Sequence, residues 1–205
     1  MTEPAKPNFE PSSFVRVGLL FYGAMAAAAV VWRVGFYQEP MWRLSEAVPR
    51  MGVGTEIGLG VGVGLAVVAL SYVFTEWTDV GERLAKAMAE PLRGLTIPDA
   101  LLLASASGLA EEMLFRGALQ PRSGLIVASV LFGALHFAPQ RDLLPWTGFA
   151  VVMGFVLGGL FEWTGTLLAP VLAHTLINAV NLPLLVHRYG SNAAELGSFD
   201  PPDDV

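Results

Sequence analysis

The sequence predicts an all-α, polytopic membrane helix bundle with about six transmembrane helices and a short interfacial helix, and three observations carry that prediction. Of 205 residues, 54% are hydrophobic and only 15% are charged. Soluble domains carry about 25% charged residues, so this chain has too few to cover a water-facing surface. The charges that exist cluster near the N-terminus, between Glu76 and Arg93, and after Glu195. Between the clusters lie apolar stretches of roughly 18–23 residues, the length that crosses ~30 Å of hydrocarbon.

Residues Met1–Ser13 are rich in proline and polar groups and read as a disordered or surface-lying arm. The first span covers about 14–32, with aromatic residues near both ends. Its Ala24-Met25-Ala26 imitates a signal-peptide cleavage site, but Glu3 and Glu10 offset Lys6 and Arg16. A signal peptide needs a positive leading segment, so the helix is expected to be retained. A polar loop with Arg33, Arg43, Pro49 and Arg50 follows.

The second span, about 52–74, holds glycines at 54, 58, 60, 62 and 64. Spacing of four among them makes faces on which helices approach closely in lipid. A phosphate-cradling loop needs a strand-to-helix turn, and this stretch is almost wholly apolar, so packing is the expected use. Glu56, near the start, is expected to reach the interface. Residues 75–93 carry Trp77 and charges of alternating sign, the pattern of an interfacial amphipathic helix. Pro91 and Pro98 bracket its exit.

Further spans follow at about 99–119, 124–137, 146–163 and 167–186. The stretch 124–137 is short and is expected to be partly sunk in protein. The organisation is then an arm (1–13), a two-span region with the interfacial helix (14–93), a helical core (94–190) and an acidic disordered tail (191–205). A chain of this length reads as one structural domain. The net charge of −6 supplies no basic patch, so nucleic acid is not an expected partner. Cysteine is absent, which excludes disulfides, thiolate metal sites and cysteine nucleophiles. Counted over six spans, seven Lys and Arg fall on the N-terminal side and five on the other. The positive-inside rule then places the N-terminus in the cytoplasm.

Ionisable residues inside the spans are the anomalies. Each costs roughly 3 kcal/mol at a helix centre and defaults to a functional reading. Glu111, Glu112 and Arg116 lie on the third span, His136 ends the fourth, and His174 and Asn178 lie on the sixth. Glu112 and Arg116 are four apart and share a face, in the order an ion pair prefers. Glu111 lies about 100° further round the helix and is the carboxylate that Arg116 does not claim. His174 and Asn178 share a face, and Asn181 lies near the same line. Three helices could therefore aim Glu111, His136, His174 and Asn178 at one polar cavity. There a carboxylate and a histidine can hold a water and take its proton. A second histidine and an amide can donate to an oxyanion. His187 and the Glu162-Trp163 pair read as interfacial residues, and Ser105 and Ser107 as ordinary packing residues.

Ala110-Glu111-Glu112-Met113-Leu114-Phe115-Arg116 fits an E-E-x-x-x-R signature. Phe132-Gly133-Ala134-Leu135-His136 fits F-x-x-x-H, and His174-Thr175-Leu176-Ile177-Asn178 fits H-x-x-x-N. With these motifs in this order on successive apolar segments, the chain resembles the CAAX protease and bacteriocin-processing (CPBP or ABI) family of intramembrane glutamate-type proteases, over about 99–182. Type II CAAX prenyl endopeptidases belong to that family. The resemblance implies that Glu111 and His136 activate the attacking water, that His174 and Asn178 stabilise the oxyanion, and that Glu112 and Arg116 shape the site. It implies no metal or other cofactor. It implies a membrane-associated protein or peptide as substrate, within a bacterial-type cell membrane. Two other readings stay open at this level. One is a zinc hydrolase using Glu111, His136 and His174, although the chain has no H-E-x-x-H. The other is a non-enzymatic immunity or scaffold protein that keeps the fold.

Overall fold

In hydrocarbon no water satisfies a backbone N–H or C=O, so each apolar stretch must close its own hydrogen bonds as a helix. The computed structural model describes residues 11–46, 48 and 51–189, and within them the chain is helical almost throughout. The elements are α1 (Pro11–Val30), α2 (Val53–Trp77), α3 (Asp79–Ala89), α4 (Ile97–Glu112), α5 (Gln120–Leu135), α6 (Leu144–Thr164) and α7 (Leu168–Tyr189). Wide π turns prolong α1 (Val31–Phe36) and join α4 to α5 (Met113–Leu119). Five helical runs are long and apolar enough to cross a membrane: Pro11–Phe36, Val53–Trp77, Ile97–Leu135, Arg141–Thr164 and Leu168–Tyr189. Their outward faces expose large apolar side chains such as Leu20, Leu70 and Val152, the surface that lipid tails favour. The protein is an integral membrane helix bundle, as its composition predicts.

Local sequence sets the helix ends. Thr96 and Asp99 form a reciprocal capping box at the start of α4, with Pro98 in its first turn. The Thr78 side chain accepts from the Gly81 N–H at the start of α3. Gly165, at φ 73°, closes α6. Amphipathic α3 carries the exposed Glu82–Lys86 pair at 2.7 Å, and the Lys86 ammonium holds the Glu82 carboxyl below its ordinary range.

Three expectations change. Residues 11–13, expected in the arm, already belong to α1; residues 1–10 and the tail from 190 lie outside the described residues. The third and fourth spans form one helical run, folded back at Gly124 (φ 80°, ψ 167°). Arg116 and Gln120 donate to carbonyls at Gly154 and Gly158 respectively. Beyond the bend, Cβ atoms built on Gly158, Gly154 and Gly133 would meet Leu125, Ser129 and Val151, so the second limb descends α6 in the opposite direction. Residues 125–135 rise only about 16 Å, half a bilayer core. Glu56, finally, does not reach an interface. It is fully buried and accepts from Thr166 Oγ1 at 2.7 Å. The buried residues of α2 are Glu56, Gly60 and Gly64, so Glu56 continues the glycine face that packs on α7.

In the packing order, α7 lies between α2 and α4, α1 covers the other side of α4, and α5 pairs with α6. Close approach decides this order at Gly108 of α4. A Cβ there would sit 2.5, 2.8 and 2.9 Å from the Oγ1, N and Cα of Thr175. Because two of these are backbone atoms of α7, Gly108→Ala is expected to cost about 1–3 kcal/mol of stability. It should also slow any activity that depends on His174, one residue away. Thermal unfolding of the purified variant checks the first effect.

Candidate active site

Each helix contributes its polar groups on one stripe. On α4 the residues Leu103, Ser107 and Glu111 recur every four positions and line a cavity of about 520 Å³. On α7 the stripe is His174, Ile177 and Asn178; α5 ends on it with Phe132 and His136; α6 adds Trp146, Ala150 and Met153. The four residues expected to be catalytic thus line one cavity, although they come from three helical runs and Glu111 and Asn178 are 67 positions apart. Glu112 and Arg116 lie behind its wall, at 0% and 1% exposure.

Glu111 is 7% exposed. Its Oε2 lies 3.6 Å from His136 Nε2 and 3.9 Å from His174 Nε2 and has no hydrogen-bond partner among the described residues. His136 Nδ1 lies 2.7 Å from the Phe132 carbonyl oxygen. A carbonyl only accepts, so Nδ1 carries a proton and, in the neutral ring, Nε2 presents a lone pair to Glu111. The ring is clamped between Phe132 at 4.5 Å and the edge of Trp146 at 5.1 Å. Glu111 Oε2 and the two Nε2 atoms therefore converge. One water within hydrogen-bond reach of Glu111 and His136, about 2.8 Å from each, can donate to both.

Glu112 Oε1 accepts from Arg116 at 2.8 Å and lies 2.8 Å from His174 Nδ1. The other Arg116 nitrogen donates to the carbonyls of Met153 and Gly154 at 3.4 and 3.2 Å, and the guanidinium stacks 4.4 Å from the Phe132 ring. An ionised Glu112 accepts a hydrogen bond from His174 Nδ1–H and so turns Nε2 to the cavity. That Nε2 donates to a ligand when the ring carries both protons. Glu112→Gln and Arg116→Ala should therefore be strongly non-additive, with a coupling above about 1 kcal/mol in a double-mutant cycle on stability. Independent losses would remove the pair from the architecture.

Two participants were not read from the sequence. Ser107, expected only to pack, accepts from Asn178 Nδ2 at 3.0 Å and donates to the Ala104 carbonyl at 3.1 Å. Its spacing of four from Glu111 was the available signal. Tyr22 of α1 lines the cavity together with Ser107 and Glu111. No motif marks it. Asn181 bonds Ser71 at 3.3 Å, outside the cavity, His187 is exposed, and Glu162 accepts from Gln120 at 3.1 Å. Among the described residues no three His, Asp or Glu side chains are arranged to hold a metal ion.

The chain is thus a membrane-embedded helix bundle that encloses a carboxylate–imidazole cavity. Residues 93–180, which hold Glu111, His136, His174 and Asn178, match the model of the type II CAAX prenyl endopeptidase Rce1-like family. The chain is also similar to the uncharacterized protein YpbD of Bacillus subtilis, at 47% identity over 87 residues, 42% of this chain and 44% of that protein. The chain thus aligns with less than half the length of that relative. No solved structure matches the chain.

Proposed function

We propose that the protein is an intramembrane endopeptidase that hydrolyses a peptide bond of a membrane-associated protein or peptide with a water activated by Glu111 and His136. The observation that carries this reading is Glu111 Oε2, without a hydrogen-bond partner among the described residues, facing the Nε2 atoms of His136 and His174 in a largely apolar cavity. The water oxygen attacks the scissile carbonyl while Glu111, with His136, takes its proton. The carbonyl π electrons move to oxygen, and His174 Nε2–H and the free Asn178 amide hydrogen stabilise the oxyanion. Collapse restores the carbonyl, breaks the C–N bond, and returns the proton to the leaving amine. Glu112 and Arg116 hold His174 in register. The family match over 93–180 supports the peptidase class.

The apolar walls fit a substrate that arrives within the bilayer. Arg83 of α3 pairs with Asp142 before α6, and Arg188 of α7 pairs with Glu76 of α2, so these basic residues share one end of the bundle. By the positive-inside rule we place that end, and the N-terminus, in the cytoplasm of a bacterial-type cell. Mass spectrometry of membrane peptides from cells producing the wild type or Glu111→Ala tests the activity. The expected result is a set of new termini present only with the wild type. Identical inventories would contradict it.

A further inference from the structure

We infer that Tyr22 is a positioning residue for Glu111: its hydroxyl donates to the Glu111 carboxylate beside Ser107, the acceptor of Asn178, so that α1 completes a site whose motifs all lie on later helices. A carboxylate that is 7% exposed needs hydrogen-bond donors. Neither neutral imidazole supplies one. The Nδ1–H of His136 is directed to the Phe132 carbonyl and that of His174 to Glu112, and the two Nε2 atoms stand 3.6 and 3.9 Å from Glu111 Oε2, beyond hydrogen-bond reach. The groups facing Glu111 are then Tyr22 from α1, His136 after α5 and His174 from α7, with Glu112 and Arg116 nearby on its own helical run. The cavity residues of α3 and α6 are not titratable. Among these groups the phenol is the neutral donor.

The packing explains how α1 delivers it. Gly18 lies one turn before Tyr22, and a Cβ there would come 2.8 Å from the Leu103 side chain. Leu103, Ser107 and Glu111 form one stripe of α4, and Gly18 and Tyr22 form the facing stripe of α1. At Gly18 the two helices approach closely, and Tyr22, one turn on, lines the same cavity as Ser107 and Glu111. Since residues 93–180 contain the family segment and Tyr22 lies outside it, the inference concerns a part of the chain that the match does not reach.

The inference deepens the reading of Glu111 as the base, and its test does not require a substrate. The measurement is pH-difference infrared spectroscopy of the purified full-length protein in detergent, following the carboxylic C=O band that Glu111→Gln removes. Loss of a donor to a carboxylate disfavours its ionised form. In Tyr22→Phe the midpoint of that band should move to higher pH by about half a unit or more. With 3-fluorotyrosine at position 22, a stronger donor of nearly the same shape, it should move the other way. Leu20→Ala, on the exposed side of α1, should leave it in place. An unmoved midpoint in both Tyr22 variants, even with a lowered melting temperature, overturns the inference and makes Tyr22 a packing residue. Continued peptide hydrolysis by Glu111→Ala would instead overturn the base assignment, and the infrared result would stand apart from it.

Discussion

Glu111→Ala is expected to lower turnover by at least about 10²-fold, the usual cost of losing a general base, while the protein stays folded and inserted. The geometry gives the reason for both halves of that expectation. Oε2 of Glu111 makes no hydrogen bond among the described residues, so its removal breaks no bond of that atom. The Glu112–Arg116 pair, with its bonds to His174 of α7 and to the Met153 and Gly154 carbonyls of α6, remains. Detergent-purified protein with a wild-type melting temperature and less than about a hundredth of the turnover is the expected outcome. Retention of more than roughly a tenth of wild-type turnover would remove Glu111 from the mechanism.

The second large effect is at Asn178. One Nδ2 hydrogen goes to Ser107 at 3.0 Å, which fixes the amide plane and leaves the other hydrogen for the cavity. A donor that acts on the developing oxyanion stabilises the transition state more than the bound substrate. Asn178→Ala should thus lower kcat by about 10²–10³ with little change in KM. Asn178→Asp keeps the shape but offers an oxygen where the donor was, and activity should fall at neutral pH. If the amide only joins α7 to α4 through Ser107, both variants would lose thermal stability and keep their rate per folded molecule. Kinetics on the folded fraction separate the two cases.

The bundle was readable because the bilayer imposes a length and a polarity on each span, and composition records both. The Glu112–Arg116 contact was readable because i,i+4 spacing survives the π turn that begins at Met113. What the sequence concealed depends on partners far along the chain. Glu56 sits near a helix start and looks free to reach water, but Thr166, 110 positions away, buries it. The His174–Glu112 bond spans 62 positions, and it changes the role of Glu112 from a partner of Arg116 alone to the group that orients His174. The fold-back at Gly124 leaves no hydropathy signal, since only a backbone angle distinguishes that glycine from its neighbours in an apolar run. Tyr22 lies on a helix without motifs, and only the packing of α1 on α4 places it in the cavity.

Hydrolysis by a Glu111-activated water makes an isotopic commitment. Single-turnover cleavage in H₂¹⁸O, using a membrane peptide whose processing depends on the wild-type protein, reports where the solvent oxygen goes. Direct attack by water predicts one ¹⁸O in the new C-terminal carboxylate and none in the side chain of Glu111, as read by mass spectrometry of both products. Appearance of ¹⁸O in Glu111 would show that the carboxylate itself attacks the peptide carbonyl through an anhydride, and would contradict the account.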